Sequence, residues 1–116
     1  MAEFESFLLR SDNQSLSENI SKWIDIENVI DWHIMLLLTN NSDGILKNFY
    51  LYKKDKNTPF RIAIWDYDHS FGRDGDYEFN LMNRELNCYR SILLDRLSSM
   101  ANSEYLLKVK TRWFEL

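Results

Sequence analysis

Three polar residues in the middle of the chain have the types and spacing that phosphoryl transfer needs. Asp43 and Asn48 form the pattern D-x-x-x-x-N, and Asp66 follows in the segment W-D-Y-D-H-S-F-G. A loop carboxylate can accept the proton of an attacking hydroxyl, whereas an amide oxygen and a second carboxylate can hold Mg²⁺, which prefers oxygen ligands. The pattern predicts Asp43 as the catalytic residue, with Asn48 and Asp66 on the metal.

Each of these motifs also has an ordinary structural interpretation. The D-x-x-x-x-N spacing alone is weak, because about one such pair is expected by chance in a chain this rich in Asp and Asn. Asp43 and Asn48 could be turn residues, since T-N-N-S-D-G is a loop composition. Asp66 and Asp68 could cap a strand or lie in solvent. The combination is stronger than either motif, because a predicted hairpin lies between them.

That hairpin must bring the two motifs together. Residues 47–53 and 60–65 are rich in aromatic and β-branched types, and K-D-K-N-T-P separates them. With the turn centred near Asn57, Asn48 faces Asp66, and directly opposed residues lie about 5 Å apart at the α-carbon. Protein kinases place a loop Asp, an Asn, two short antiparallel strands and a metal-binding Asp in this order.

Helices are predicted on both sides of the hairpin. Residues 25–39 follow helical spacing after a capping Asp25, and apolar residues cover most of this helix, so we expect it to be buried. Residues 66–87 show no clear periodicity, which is typical of a long functional loop. Three further segments show helical spacing: 15–23, which opens on a capping box at Ser15, 88–100 and 103–116.

Composition narrows the class of protein. The 116 residues suffice for one small domain, and a 45% hydrophobic content supports a packed core. The net charge is −4 and the basic residues are scattered, so no nucleic-acid-binding surface is indicated. No apolar run is long enough for a transmembrane segment. Cys88 is the only cysteine, so we expect a half-buried free thiol and neither an intrachain disulfide nor a cysteine zinc site.

The histidine and tryptophan side chains are more typical of packing than of ligand binding. His33 falls on the buried helix, where a satisfied core histidine is expected rather than a ligand. His69 lies beside the carboxylates and is a weak candidate for an auxiliary role. All four tryptophans are expected in the core rather than on a sugar-binding platform: Trp23, Trp32, Trp65 and Trp113.

A longer pattern joins these motifs. DIENVIDWHIMLLLTNNSDGILKNFYLYKKD is followed by FRIAIWDYDHSFG, and RWFEL comes near the end of the chain. The helix ending in an N-x-D loop, the Tyr-rich strand and the W-D-x-D-x-S-F-G segment closely resemble the CotH kinase family, the spore-coat protein H type. The specific part of the resemblance covers about residues 25–72, and a looser part covers about 103–116.

The resemblance implies a fold, an activity and a location. It implies an α+β chain that forms the mainly helical partial C-lobe of a protein-kinase-like fold, with the hairpin carrying the catalytic and metal-binding loops. It implies transfer of phosphate from ATP, with Mg²⁺, to Ser or other hydroxyls of protein substrates of the spore coat, cell surface or secreted class. Asp43 resembles the catalytic-loop aspartate, Asn48 and Asp66 the metal and phosphate side, and Asp68 an additional metal ligand.

The chain departs from a complete kinase before its main helix. It has no glycine-rich nucleotide loop and no lysine in a β3-type context, so residues 1–116 are interpreted as a single fragment without the N-terminal nucleotide-binding part. We expect the isolated fragment to have no useful phosphotransferase activity, because it cannot enclose ATP as a two-lobed kinase does. Apolar patterns reach both ends, which would allow the fragment to self-associate.

Two other classes of function compete with this interpretation. A kinase-like fold without catalysis could serve as a structural or binding module of a spore coat or cell surface, and it would then bind no nucleotide. A calcium loop would place Asp66, Asp68 and Ser70 at positions 1, 3 and 5 of an EF-hand-like pattern. Phe71 and Tyr77 stand where that pattern requires Gly and Glu, which nearly excludes it.

Overall fold

The computed structural model describes residues 2–68, 70–71, 73–74, 77–80, 86–100 and 104–116. Helices and small antiparallel strand pairs together make this an α+β chain, as expected. In order, the elements are α1 (Ala2–Arg10), α2 (Asn13–Trp23), α3 (Ile26–Thr39), β1 (Phe49–Tyr52), β2 (Arg61–Ile64), β3 (Arg73–Asp74), β4 (Tyr77–Asn80), a 3₁₀ helix (Cys88–Arg90), α4 (Ile92–Ser98) and α5 (Glu104–Glu115).

Helix α3 is the central element, and its first turn is fixed by the expected cap. The Asp25 carboxylate accepts from the N–H of Asn28 at 3.1 Å. The helix ends at Asn40, whose left-handed backbone has a φ of 51°. Seven of the 14 residues of α3 are buried, but Leu37 and Leu38 are exposed by 43% and 55%. The predicted helix is confirmed, and one strip of its apolar surface faces outward.

Helices α1, α2 and α4 form one side of the core. Asp12 caps α2 by accepting from the N–H of Ser15 at 2.7 Å, so the expected start at Ser15 is wrong. The Asp12 carboxylate, three residues earlier in the chain, takes the capping role, and Ser15 lies in the first turn, where its N–H donates to that carboxylate. Arg96 of α4 donates to the carbonyl oxygens of Leu8 and Ser11 at 2.7 and 2.6 Å, which joins α4 to the end of α1.

Helix α3 is joined to α5 by two buried aromatic side chains. His33 Nδ1 and the Tyr105 hydroxyl oxygen are 2.9 Å apart in a hydrogen bond, and their rings stack with centroids 5.8 Å apart. Only 5% of His33 and 3% of Tyr105 is exposed. Burial lowers the pKa of His33 and raises the pKa of Tyr105. The expectation that His33 is a satisfied core histidine is confirmed.

The predicted hairpin is confirmed, but its predicted register is wrong by one residue. Leu51 faces Ile62, and Phe49 faces Ile64. A turn centred near Asn57 would instead have paired Phe49 with Trp65. Because opposed residues share a face of the sheet, this pairing directs Leu51 and Ile62 together toward the core, where Ile62 is 6% exposed. In consequence Asn48 lies opposite Trp65, and it is not directly opposite Asp66.

The outward face of the hairpin is aromatic. Tyr50 and Trp65 are 58% and 52% exposed, and their rings contact each other with centroids 5.8 Å apart. Trp113, near the end of α5, is 43% exposed. The expectation of core positions is therefore wrong for Trp65 and Trp113, because strand alternation and the end of a surface helix place them outward. Trp32 is 4% exposed, and Trp23 packs against the core.

The segment after the hairpin differs from the expected loop and helix. The predicted loop 66–87 contains the antiparallel pair of β3 and β4. The predicted helix 88–100 begins instead as a 3₁₀ helix, and α4 starts after Ser91, whose hydroxyl accepts from the N–H of Leu94 at 3.3 Å. Cys88 is a free thiol and is buried rather than half-buried. Among the helices described, none has the length and apolar content that a membrane span requires.

Candidate catalytic and metal-binding site

Asp43 lies on the turn that follows α3. The turn is held by Asn41, which is fully buried and whose Oδ1 accepts from the N–H of Gly44 at 3.1 Å. The Asp43 carboxylate stays partly accessible, with 37% of the side chain exposed and Lys47 Nζ 3.8 Å from Oδ1. The structure therefore presents the Asp43 carboxylate partly to solvent, on a turn that a buried hydrogen bond holds.

Positive charge lies on two sides of this turn. Besides Lys47, the guanidinium of Arg90 on the 3₁₀ helix donates to the hydroxyl of Ser42 at 3.4 Å. Both contacts are at the surface, where ion pairs are screened by solvent and contribute little to stability. Their effect is local, because Lys47 lies beside the Asp43 carboxylate and Arg90 beside the preceding residue, Ser42.

Asn48 and Asp66 meet at the open end of the hairpin. The Asn48 carbonyl oxygen accepts from the N–H of Trp65 at 3.1 Å, and the Asn48 amide nitrogen donates to the carbonyl oxygen of Asp66 at 3.3 Å. Both residues have left-handed backbones, with φ of 63° and 55°, a conformation that Asn and Asp tolerate better than other non-glycine residues. The amide thus uses its nitrogen to hold the hairpin end, which leaves its oxygen as the atom to bind a cation.

The loop of Asp43 touches the loop that carries Asp66 and Asp68. A Cβ added to Gly44 would lie 2.8 Å from the Tyr67 hydroxyl oxygen and 2.8 Å from Leu36 Cδ2. Such distances show that the Gly44 backbone is packed directly on Tyr67, which stands between the two aspartates. A second tie joins the far end of the loop to α3, because the N–H of Phe71 donates to the carbonyl oxygen of Thr39.

The contacts of Asn41, Gly44 and Tyr67, which hold the two loops, could not be predicted from the sequence. Asn41 and Gly44 were visible only as loop formers, and Tyr67 only as the variable residue of W-D-x-D. The position of Gly44 directly after Asp43 could have indicated that another segment packs closely there, because such an approach needs a residue without a side chain. Nothing local in the sequence indicates that Tyr67 is the segment that approaches.

Asp66, Asp68 and Asn48 are residue types that can supply oxygen ligands to a Mg²⁺ ion shared with phosphate oxygens. Asp66 and Asp68 are exposed, and the Asn48 amide is adjacent. Mg²⁺ is commonly held by one or two carboxylates and completes its coordination with water and substrate phosphates. In the described part of the chain, no group of three or more His, Cys, Asp or Glu side chains could hold a metal by itself. His69, the candidate auxiliary residue, lies outside the described residues.

Comparison with known proteins identifies the family. The family model described as "CotH kinase protein" matches residues 1–116. The chain is similar to "Inner spore coat protein H" of Bacillus subtilis (strain 168), with 27% identity over 105 residues that cover 75% of this chain and 29% of the relative. This chain thus spans less than a third of that relative's length. No solved structure matches it. Because the family model covers every residue, the chain belongs to the CotH family.

Proposed function

We propose that the full-length protein is a CotH-type protein kinase of the spore coat, cell surface or secreted class. It transfers the γ-phosphate of ATP to Ser or other hydroxyl groups of protein substrates, and the present chain contributes the catalytic and metal-binding loops of a kinase-like C-lobe. Asp43 accepts the proton of the acceptor hydroxyl. Asn48, Asp66 and Asp68 hold Mg²⁺, which supplies neutralisation of the phosphate charge when it is bound.

The observation that carries this proposal is the contact between Gly44 and Tyr67. Through this contact the turn with the partly exposed Asp43 carboxylate packs against the segment that carries Asp66 and Asp68. Phosphoryl transfer asks a protein mainly to orient the acceptor and to stabilise charge, so the required groups must be held at fixed separations rather than perform covalent chemistry. The hydrogen bond from Asn48 to the Asp66 main chain fixes the remaining member of the set.

The activity is assigned to the full-length protein and not to this chain alone. The chain contains no glycine-rich loop or β3-type lysine, and it covers 29% of the relative that it matches. Kinases cover the nucleotide phosphates with such a loop, so residues 1–116 alone are expected to give no transfer above background.

The first test is Mg²⁺-dependent transfer of labelled phosphate from ATP to protein. Asp43→Asn in the full-length protein is expected to lower the rate at least about a hundredfold, since removal of a general base commonly has effects of this size. Asp66→Asn is expected to lower it through loss of a metal ligand. Asp31→Asn is the matched control, because this α3 carboxylate is 52% exposed and pairs with Arg112. Equal labelling by the wild type and Asp66→Asn would remove Asp66 from the mechanism.

A second candidate function is a structural module of the coat without catalysis. The name of the Bacillus subtilis relative, an inner spore coat protein, favours this candidate. The two functions differ in nucleotide binding, because a ligand present at a hundred times its Kd stabilises a folded protein by about 2.7 kcal/mol. A rise in the thermal midpoint with ATP and Mg²⁺ would support the kinase, and an unchanged midpoint would support the structural module.

A further inference from the structure

The candidate site contains a buried hydroxyl that the proposed chemistry does not use. The Tyr67 hydroxyl oxygen is inaccessible to solvent and has no hydrogen-bond partner, and the same is true of the Trp32 indole nitrogen and the Asn41 amide nitrogen. Two of these side chains meet at Gly44, since Asn41 accepts its N–H and Tyr67 packs on its α-carbon. Buried polar groups are normally paired, so each unpaired group calls for an explanation.

Tyr67 touches the surroundings of the site on several sides. Its hydroxyl end lies against Gly44 next to Leu36 of α3. Burial raises the pKa of the Tyr67 hydroxyl, and the side chain of Trp32, also on α3, lowers it in part. The main-chain carbonyl of Tyr67 accepts from the hydroxyl of Ser70, which closes its own loop. One ring therefore spans the space between α3, the Asp43 turn and the aspartates on either side of it.

We propose that Tyr67 is a positioning residue that fixes the Asp43 turn relative to the loop of Asp66 and Asp68. The proposal rests on the proposed function, because the two loops are its catalytic and metal-binding halves. The ring sets their separation by contact with Gly44. The hydroxyl is the tip of this contact, because its oxygen lies 2.8 Å from the position that a Gly44 Cβ would take.

The choice of Tyr over Phe supports a role beyond packing. A Phe ring would fill the same space and would leave no buried hydroxyl without a partner. Replacing an unpaired buried polar group by an apolar one of the same shape is close to neutral for stability, or stabilising. Departures from the best local choice concentrate at functional sites. The hydroxyl is therefore expected to be dispensable for folding and required for the arrangement of the two loops.

Two Tyr→Phe variants of the full-length protein separate positioning from packing. Tyr67→Phe is expected to keep or raise the thermal midpoint and to raise the Mg²⁺ concentration for half-maximal transfer about tenfold, as loss of a group that orients metal ligands does. Tyr105→Phe, the matched control, removes a hydroxyl that is hydrogen-bonded to His33. It is expected to lower the midpoint and to leave the Mg²⁺ dependence unchanged. An unchanged Mg²⁺ dependence in Tyr67→Phe would overturn the inference.

Amide hydrogen exchange provides a readout that does not depend on activity. In Tyr67→Phe, peptides covering residues 40–48 and 65–71 should both exchange faster than in the wild type, and in Tyr105→Phe neither should change. A rise confined to 65–71 would show that Tyr67 orders only its own loop and would refute the coupling. If the wild type transfers no phosphate, the proposed function fails. Hydrogen exchange in these two segments then still tests whether Tyr67 holds the two loops together.

A double variant tests the same contact from the other side. Gly44→Ala places a Cβ 2.8 Å from the Tyr67 hydroxyl oxygen, whereas the ring carbon that carries this hydroxyl is 3.1 Å away. Removing the hydroxyl should therefore relieve part of the clash, and the Mg²⁺ dependence of Gly44→Ala/Tyr67→Phe should change less than the sum of the two single changes. Strict additivity would count against a direct link between the loops.

Discussion

The hydrogen bond between His33 and Tyr105 gives the sharpest test of how the helices are held together. Tyr105→Phe removes the hydroxyl and keeps a ring that can stack on His33. His33 Nδ1 would then be buried without its partner, which destabilises a protein by about 1–3 kcal/mol. Because only 5% of His33 is exposed, water cannot replace the lost partner without opening the α3–α5 contact. We expect the free energy of unfolding to fall by about 2 kcal/mol.

The same pair makes stability depend on pH in a predictable direction. Burial lowers the pKa of His33 below its unfolded value of about 6.5, so the unfolded state binds the proton more readily. Stability from the neutral imidazole is therefore complete above about pH 6.5 and is lost as the pH falls from that value toward the folded pKa. One titrating group can change the free energy of unfolding by at most about 1.4 kcal/mol per pH unit.

Urea unfolding of the wild type, Tyr105→Phe and His33→Asn, followed by circular dichroism, measures both effects. The wild type should lose stability between about pH 7 and pH 5. His33→Asn keeps a polar acceptor near the position of Nδ1 but cannot titrate, so this part of its pH dependence should be absent. If Tyr105→Phe is as stable as the wild type at neutral pH, or if His33→Asn keeps the full pH dependence, the reasoning about this pair is wrong.

Two further substitutions test the ends of helices. Asp25→Ala removes the cap of α3 and the 2.8 Å ion pair with Arg61, so it should lower the free energy of unfolding by about 1–2 kcal/mol. Asp25→Asn keeps a capping oxygen and should lower the free energy of unfolding by less. Equal losses in urea unfolding would contradict a capping role. Arg96→Lys cannot reach both Leu8 and Ser11, so it should lose about 1 kcal/mol and speed amide exchange in α1. Unchanged exchange would show that this anchor does not matter.

The elements that local sequence determines could be predicted. Helix α3 has a capping Asp25 followed by apolar residues at helical spacing, so both its type and its start follow from short-range patterns. The hairpin has two aromatic, β-branched runs around a turn, and it too was predictable. The register of the hairpin could not be predicted, because the pairing of Leu51 with Ile62 depends on how both side chains pack into the core. The number of residues between the two strands does not determine this packing.

The residues of the candidate site were easier to select from the sequence than the residues that hold them in place. Asp43, Asn48 and Asp66 are residue types with a recognisable spacing. The Asn48 amide contacts the main chain of Asp66 even though the predicted register of the hairpin was wrong by one residue. The packing of Tyr67 on Gly44 joins residues that are distant in sequence. Such a contact depends on how α3 and the hairpin pack together, and no local pattern reports that. Exposure of Trp65 was missed for the same reason, since its type favours the core.

The left-handed backbones of Asn48 and Asp66 have a consequence for related sequences. Glycine would satisfy the backbone at either position, but it would remove the side-chain oxygen atoms that the proposed metal site requires. A family member with glycine at these positions would therefore keep the backbone of the hairpin end and lack the proposed ligands. Glycine is therefore a cleaner substitution than alanine for testing these two side chains, because alanine would add backbone strain to the loss of the side-chain oxygen.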